Sequence, residues 1–302
     1  MVMVFALAAA LLYGSADFLG GAATRRAHVL SVLLVSCSAG MVVLLAGALL
    51  AGGRPQPAGL AWGIAAGAAG GVGFMFFYAA LAAGPMTVVA PLSALVSTVL
   101  PVASALAMGE RPGPGVYVGA LLCLVAIVLI SSGGSGPAPE APQPLAGVTG
   151  QAGTPARDRA RTARGIGWGI ASGAAFGMFF LFIRNGGESG ALWPVAVARV
   201  TGTLIILMVA AGVRVRPVGW RPDAGPFLAA LGAGVFDAGA NLCYVLATRA
   251  GLFGLAVVLT SLYPGVTVLL ARFVLGERLG WAGRAGLALA ATGIVLVTAT
   301  GG

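Results

Sequence analysis

Charged residues are scarce in this sequence. Of its 302 residues only 8% are Asp, Glu, Lys or Arg, and every basic one is Arg because Lys is absent. Water-soluble domains carry about a quarter charged residues, so this composition excludes an ordinary soluble protein. Hydrophobic residues make up 59% of the chain and its mean hydropathy is +1.00. We therefore expect an integral membrane protein.

Residues for metal binding, redox chemistry and catalysis are also few. The sequence has one His, His28, and three Cys that all fall in apolar runs, where lone thiols are expected rather than disulfides. It contains no HExxH, no GxSxG and no phosphate-binding loop. We expect no metal, no cofactor and no enzymatic activity. An intramembrane enzyme that uses two aspartates is the least favoured alternative.

Long apolar runs dominate what is present. A helix needs about 20 mostly apolar residues to cross the roughly 30 Å hydrocarbon core of a bilayer. Strand-type alternation is absent from these runs, and their Ala, Leu and Gly content favours helices. The predicted fold class is an all-α integral membrane protein with ten transmembrane helices. The runs are 2–22, 29–51, 58–83, 85–108, 113–132, 165–184, 191–213, 224–248, 252–275 and 280–299.

One polar segment divides the chain. Residues 133–164 are rich in Pro, Gly and Arg, which is typical of a linker. The segment leaves five predicted helices in 1–132 and five in 165–302. Because five is odd, the second set must begin on the opposite side of the membrane, and the two halves are predicted to be inverted repeats.

A repeated tripeptide supports this division. Gly-Glu-Arg occurs at 109–111 and again at 276–278, and the two copies lie 167 positions apart, each between apolar runs. Gly109 suits a left-handed cap at the end of helix 4. Glu110 and Glu277 are predicted to meet the free N–H groups at the start of helices 5 and 10 as hairpin corners, with a gating role as the alternative.

These features resemble a known family. Two sets of five helices, Gly-Glu-Arg after helices 4 and 9, YGSADFLGG at 13–21 and the run from Pro264 to Glu277 resemble the EamA family of the drug/metabolite transporter superfamily. The resemblance implies export or exchange of a small polar or amphipathic metabolite. A non-transporting membrane scaffold is the alternative from another class of function.

Charges inside the predicted spans are the candidates for a substrate site, because each costs a few kcal/mol at the bilayer centre. Three stand out: Asp17 in helix 1, Arg199 in helix 7 and Asp237 in helix 8. Arg199 and Asp237 are expected at similar depth, either as a structural ion pair or as ligands of the substrate. The polar residues expected to bind substrate beside these charges are Tyr13, Asn241, Tyr244, Thr260, Ser261 and Tyr263.

Prolines and glycines mark places where helices bend or pack. Pro91 and Pro101 are expected to interrupt helix 4, and Pro264 to interrupt helix 9, where freed carbonyls could line a cavity. Glycines recur every four residues in helices 3 and 6, which places them on one side of each helix. We expect these glycine faces to pack within the chain, with a homodimer seam as the alternative.

The net charge of +9 does not indicate a nucleic-acid partner, because the arginines cluster at predicted helix ends, where they would face lipid headgroups. The predicted partners are lipids and a small-molecule substrate. The predicted location is the plasma (cytoplasmic) membrane. Eleven arginines fall in the loops on one side, namely Arg25, Arg26, Arg157, Arg159, Arg161, Arg164, Arg214, Arg216, Arg221, Arg278 and Arg284.

The arginine bias predicts the orientation of the chain. The opposite side carries only Arg54, Arg111, Arg184 and Arg249, so the positive-inside rule places both termini outside. An N-terminal tag on intact cells should therefore react with an impermeant reagent, whereas a tag inserted at 136–156 should react only after lysis. The reverse pattern would contradict this orientation.

Overall fold

The computed structural model describes residues 1–24, 26–27, 29–51, 54–83, 86–133, 155–186, 192–212, 224–275 and 280–300. Within these ranges the secondary structure is helical and contains no strand. The helices are α1 Val2–Thr24, α2 Val29–Leu50, α3 Pro57–Ala83, α4 Met86–Ala107, α5 Pro114–Gly133, α6 Pro155–Gly186, α7 Trp193–Gly212, α8 Ala224–Ala250, α9 Phe253–Thr260, α10 Tyr263–Leu275 and α11 Trp281–Thr300.

The helices agree with the predicted all-α membrane class. Seven stretches are long and apolar enough to cross a bilayer, and one of them, Phe253–Leu275, combines α9 and α10. Three more apolar helices are shorter, at Leu92–Ala107, Pro114–Ile130 and Trp281–Val297. Each of the ten predicted runs is occupied by helix. The largest difference is α6, which begins at Pro155 rather than at 165, because Pro at the first helical position suits a helix start.

The helix interruptions predicted at prolines are found in one helix and not in the other. α4 continues without a break through Pro91 and Pro101, so the predicted interruption there is wrong. A proline removes one backbone hydrogen bond, and the packing of α4 against α6 and α9 keeps the rest of the helix in place. The break at Pro264 is present. α9 ends at Thr260, Ser261 and Leu262 form a turn, and Pro264 is the second residue of α10.

The helices pack into two bundles that mix the two halves of the sequence. In the first bundle, α1 packs against α8, α9 and α10, and α2 packs against α8. In the second bundle, α6 packs against α3 and α4, and α3 also packs against α7. α5 and α11 pack against each other beside them. The two bundles meet where α2 contacts α7 and where α4 contacts α9.

Both chain ends lie on one side of this arrangement, which we call the terminal side. A Cβ atom added at Gly251, after α8, would lie 3.2 Å from the Val2 side chain. One added at Gly115, at the start of α5, would contact the Thr300 side chain. The ends of α4, α6 and α8 and the start of α9 therefore share this side. We call the opposite side, where α1 ends at Thr24 and α6 begins at Pro155, the linker side.

Glycine faces bring helices of the second bundle into backbone contact. A Cβ atom added at Gly63 would lie 2.6 Å from the Pro194 carbonyl oxygen of α7. One added at Gly173 would lie 2.5 Å from the Ser93 carbonyl oxygen of α4. The expected intramolecular packing of these faces is confirmed. The hydroxyl of Ser172 adds a polar link, since it donates to the Gly73 carbonyl of α3 at 3.0 Å and accepts from Ser93 at 3.2 Å.

The outer surface of the bundles is apolar. Large hydrophobic side chains of several helices are exposed, and they include Leu49, Leu121, Met208, Leu228 and Phe273. Such a surface would associate in water, whereas it matches the hydrocarbon core of a bilayer.

Substitution of Gly173 tests the close approach of α6 to α4. Gly173→Ala should lower the thermal unfolding temperature in detergent, because the neighbouring atoms are backbone and overpacking costs about 1–3 kcal/mol. Gly167→Ala, in the same helix, is the matched control, because its added Cβ meets nothing within 4 Å. That substitution should be neutral or slightly stabilising, since Ala is the better helix former. Equal effects of the two changes would contradict the packing.

Candidate functional site

Asp17 is the acidic residue of α1, and it lies on the helix face that packs against the protein. Ala6, Ala10 and Gly14 on the same face are buried, whereas Val4 and Leu11 on the opposite face are exposed. Asp17 is nevertheless itself exposed. An accessible side chain on the inward face of a helix lines an opening between helices rather than the lipid surface. Among the described residues it makes no ion pair.

Two tyrosines accompany Asp17. Tyr13 lies one turn away on the same face of α1, and its ring is 6.1 Å from the ring of Tyr263 in α10, at an interplanar angle of 59°. Both tyrosines interact electrostatically with Asp17, and Tyr13 also interacts with Arg199. Three of the predicted substrate-binding residues, from α1 and α10, therefore lie close to one another.

The ion pair between Arg199 and Asp237 joins the two bundles. Nη2 of Arg199 in α7 contacts Oδ2 of Asp237 in α8, and the two side chains are 19% and 26% exposed. Asp237 lies halfway along α8, so the pair is deep within the span. Its partial exposure leaves both charges accessible from the interior, which is consistent with either a structural or a ligand-binding role.

Residues of α2 complete the environment of the guanidinium, and sequence reasoning missed them. The thiol of Cys37 is in hydrogen-bonding range of Arg199, and a Cβ added at Gly40 would lie 3.4 Å from the Arg199 Nε. A lone Cys and a Gly in an apolar run carry no sequence signal of a polar neighbour. Only the packing of α2 against α7 reveals it.

The predicted substrate-binding residues of α8 have different surroundings. Nδ2 of Asn241 donates to the Asp237 backbone carbonyl at 2.8 Å and to Oδ2 at 3.3 Å, so it holds the carboxylate in place. Tyr244 is fully buried, packs on the Phe180 ring and donates to the Phe180 carbonyl of α6 at 3.5 Å. In this conformation Tyr244 seals the contact between α8 and α6 and does not line the opening.

Thr260 and Ser261 also lie away from the opening. Thr260 is 2% exposed and its hydroxyl donates to the Ala6 carbonyl of α1 at 3.5 Å, and Ser261 is 7% exposed. The Thr260 hydroxyl therefore links the end of α9 to α1. One turn later, the Thr267 hydroxyl lies 3.1 Å from the carbonyl oxygens of both Gly14 and Tyr263.

Glu110 meets a helix start, although not the one predicted. α4 ends at Ala107, Gly109 has a φ of +92°, and the Glu110 N–H donates to the Ala105 carbonyl at 3.1 Å, so the left-handed cap is confirmed. The Glu110 carboxylate accepts from the N–H groups of Phe253 at 2.8 Å and Gly254 at 3.1 Å. The predicted pairing with α5 is wrong, because the two carboxylate oxygens accept from α9 instead. Glu277 lies outside the described residues.

No metal centre is visible in the part of the chain that the structure describes, since no three His, Cys, Asp or Glu residues come together there. The donors present are carboxylates, a guanidinium, tyrosine hydroxyls and an amide. This set can bind polar and charged groups of an organic molecule.

Comparisons with known proteins agree with the fold. The EamA-like transporter family matches residues 1–132 and 163–299, which leaves out the polar linker. No curated protein matches the sequence. Among solved structures, one described as "Crystal structure of protein" has a TM-score of 0.74 and 20% identity, over 99% of this chain and 96% of the other. At this identity the likeness concerns the fold alone.

A double-mutant cycle tests the ion pair. Arg199→Met or Asp237→Leu alone should destabilise the protein in detergent by up to about 3–5 kcal/mol, because each leaves one partly buried charge without its partner inside the span. The double variant should lose less stability than either single variant, since it removes both charges. Thermal unfolding measures all three. A double variant whose loss equals the sum of the single losses would contradict the pairing.

Proposed function

Because this chain belongs to the EamA-like transporter family, we propose that it is a secondary transporter, an exporter or exchanger of a small polar or amphipathic metabolite. The transport mechanism we propose is alternating access, in which a central site opens first to one side of the membrane and then to the other. The site contains Asp17, Tyr13, Tyr263 and the Arg199–Asp237 pair.

The observation that carries this proposal is the convergence of ionisable groups in the interior of the spans. α1, α7 and α8 each contribute a charged residue to the same region, and α10 adds Tyr263. A charge within a span is expensive, so its retention on an inward and accessible face favours a role in a substrate path. A scaffold held together by glycine faces would have no use for a carboxylate that, among the described residues, forms no ion pair.

Two inverted five-helix repeats, 1–132 and 165–302, are part of the proposal. The repeated Gly-Glu-Arg supports them, as does the family match in two segments on either side of the linker. The packing also fits, because α3 packs on α6 in the second bundle as α8 packs on α1 in the first. Since each bundle contains helices of both halves, we propose that the bundles move against each other.

The charges in the opening favour a substrate with a positively charged group. Arg199 compensates Asp237, whereas the described residues offer no cation to Asp17. A protonated amine would donate a charge-assisted hydrogen bond to the Asp17 carboxylate. The rings of Tyr13 and Tyr263 would add cation–π attraction at the same place. We propose that Asp17 binds this group and that Arg199 and Asp237 bind polar groups beside it.

The membrane context follows from the same family and composition. We propose a multi-pass protein of the plasma membrane with both termini outside, in agreement with the arginine bias of the loops. The glycine faces are occupied within the chain, so a homodimer would have to use another part of the apolar surface.

An export comparison tests the transporter function. Metabolites outside cells that express the wild type, Asp17→Asn, Asp237→Asn or no transporter would be compared without preselection. A compound enriched by the wild type should fall at least about tenfold for Asp17→Asn, because removing one partner of a desolvated charge pair costs about 2–5 kcal/mol. Ser15→Ala is the matched control in α1, since its hydroxyl donates only to the Leu11 carbonyl of its own helix.

Each outcome of this comparison is informative. Enrichment by both the wild type and Ser15→Ala, with loss in Asp17→Asn, would support the proposed site. Enrichment by all variants would support transport and refute the role of Asp17. No enriched compound, with every variant folded in the membrane, would favour a scaffold, and a covalently altered compound would favour an enzyme.

A further inference from the structure

The start of α9 is capped by a residue from the other half of the sequence. The residue before the helix, Leu252, has no side-chain acceptor, so the first N–H groups of α9 have no local partner. The Glu110 carboxylate supplies two acceptors, one for Phe253 and one for Gly254. All eight residues of α9 are buried, so water is a poor substitute for this cap.

This cap also connects the two bundles. Glu110 follows α4 of the second bundle, and α9 belongs to the first bundle. Two further contacts cross between the bundles on the terminal side. The Arg184 guanidinium of α6 lies 4.5 Å from the centre of the Phe253 ring, and the Tyr244 hydroxyl of α8 reaches the Phe180 carbonyl of α6. Together these contacts close the terminal side over the Arg199–Asp237 pair.

The residues compared here are more accessible towards the linker side. Asp17 lies seven residues before the end of α1 on the linker side and its side chain is exposed, whereas Tyr244, Phe253 and Val257 on the terminal side are buried. We infer that access to the Arg199–Asp237 pair from the terminal side is the more restricted. Opening the terminal side requires separation of α4 from α9, and Glu110 bridges this contact.

We propose that Glu110 is a latch that holds the terminal side closed by capping α9 across the two bundles. Breaking the latch frees the start of α9 and lets the bundles separate on that side. The role of the latch in a transport cycle rests on the proposed function. The contact itself and its effect on the access of water to α9 do not rest on that function. Glu110 positions α9 and does not bind substrate.

Access of water to α9 measures the latch directly. Val257 is buried one turn into α9, in a cluster with Ala105 of α4 and Tyr244 of α8. In a background with the three native cysteines replaced by alanine, Val257→Cys would be labelled in nanodiscs with an impermeant charged thiol reagent. Glu110→Gln should raise the labelling rate by roughly tenfold, because Gln lacks the charge and one of the two acceptors.

Two further variants distinguish a contact that holds the bundles together from one that only stabilises the start of α9. Arg111→Gln is the matched control, since it removes an exposed charge from the same corner, and it should leave the labelling rate unchanged. Adding Leu252→Ser to Glu110→Gln gives α9 a cap of its own, which should restore the unfolding temperature. Labelling should stay fast in this double variant, because the new cap does not reach the second bundle.

The proposal is overturned if Glu110→Gln leaves the labelling rate at the wild-type value. It is also overturned if Leu252→Ser returns the rate to that value, since Glu110 would then act only on helix stability. Labelling does not depend on transport, so fast labelling of the Glu110→Gln variant together with a wild type that exports no compound would count against the transporter function and leave the latch in place.

Discussion

Hydrocarbon cannot solvate a polar group, so each one within the spans must find its partner inside the protein. This constraint explains the helical architecture, in which backbone groups bond within each segment. It also explains why Asn241 donates to Asp237, why Asp237 pairs with Arg199, and why Glu110 caps a helix that has no acceptor of its own. Asp17 stands out because the described residues give it no such ion pair, although it faces the interior.

Close backbone approach sets the positions from which these partners act. Gly63 and Gly67 let α3 approach α7, and Gly234 lets α8 approach α2 near Ala39 and Gly40. The second approach is also the place where Arg199 reaches both Asp237 and the surface of α2. The small residues and the ion pair are therefore parts of one arrangement. A bulky residue on these faces would displace the helices that carry the charges.

The helices and the depth of the charges were predictable from the sequence, because apolar runs specify spans and counting along them gives depth. Arg199 and Asp237 were expected at similar depth, and they form an ion pair. Tyr244 and Thr260 share helix faces with site residues, but periodicity gives the direction of a side chain without showing whether a neighbour covers it. Glu110 was expected to cap a helix, yet its partner lies 143 residues away, which local rules cannot identify.

The mixing of helices from the two halves has a mechanical consequence. If each half of the sequence formed its own body, the 133–164 linker would be the main covalent connection between the moving parts. Instead, both bundles contain helices of both halves, and the connections between α2 and α3 and between α7 and α8 also cross from one bundle to the other. In the proposed transport cycle, motion of the bundles would thus be restrained by these two connections as well as by non-covalent contacts. The contacts between the bundles on the terminal side combine the polar link from Glu110 to α9 with apolar contacts around Val257 and Ala105, and they are less extensive than the packing within each bundle. In the proposed transport cycle this difference would let the bundles separate at their contact before either bundle loses its own packing.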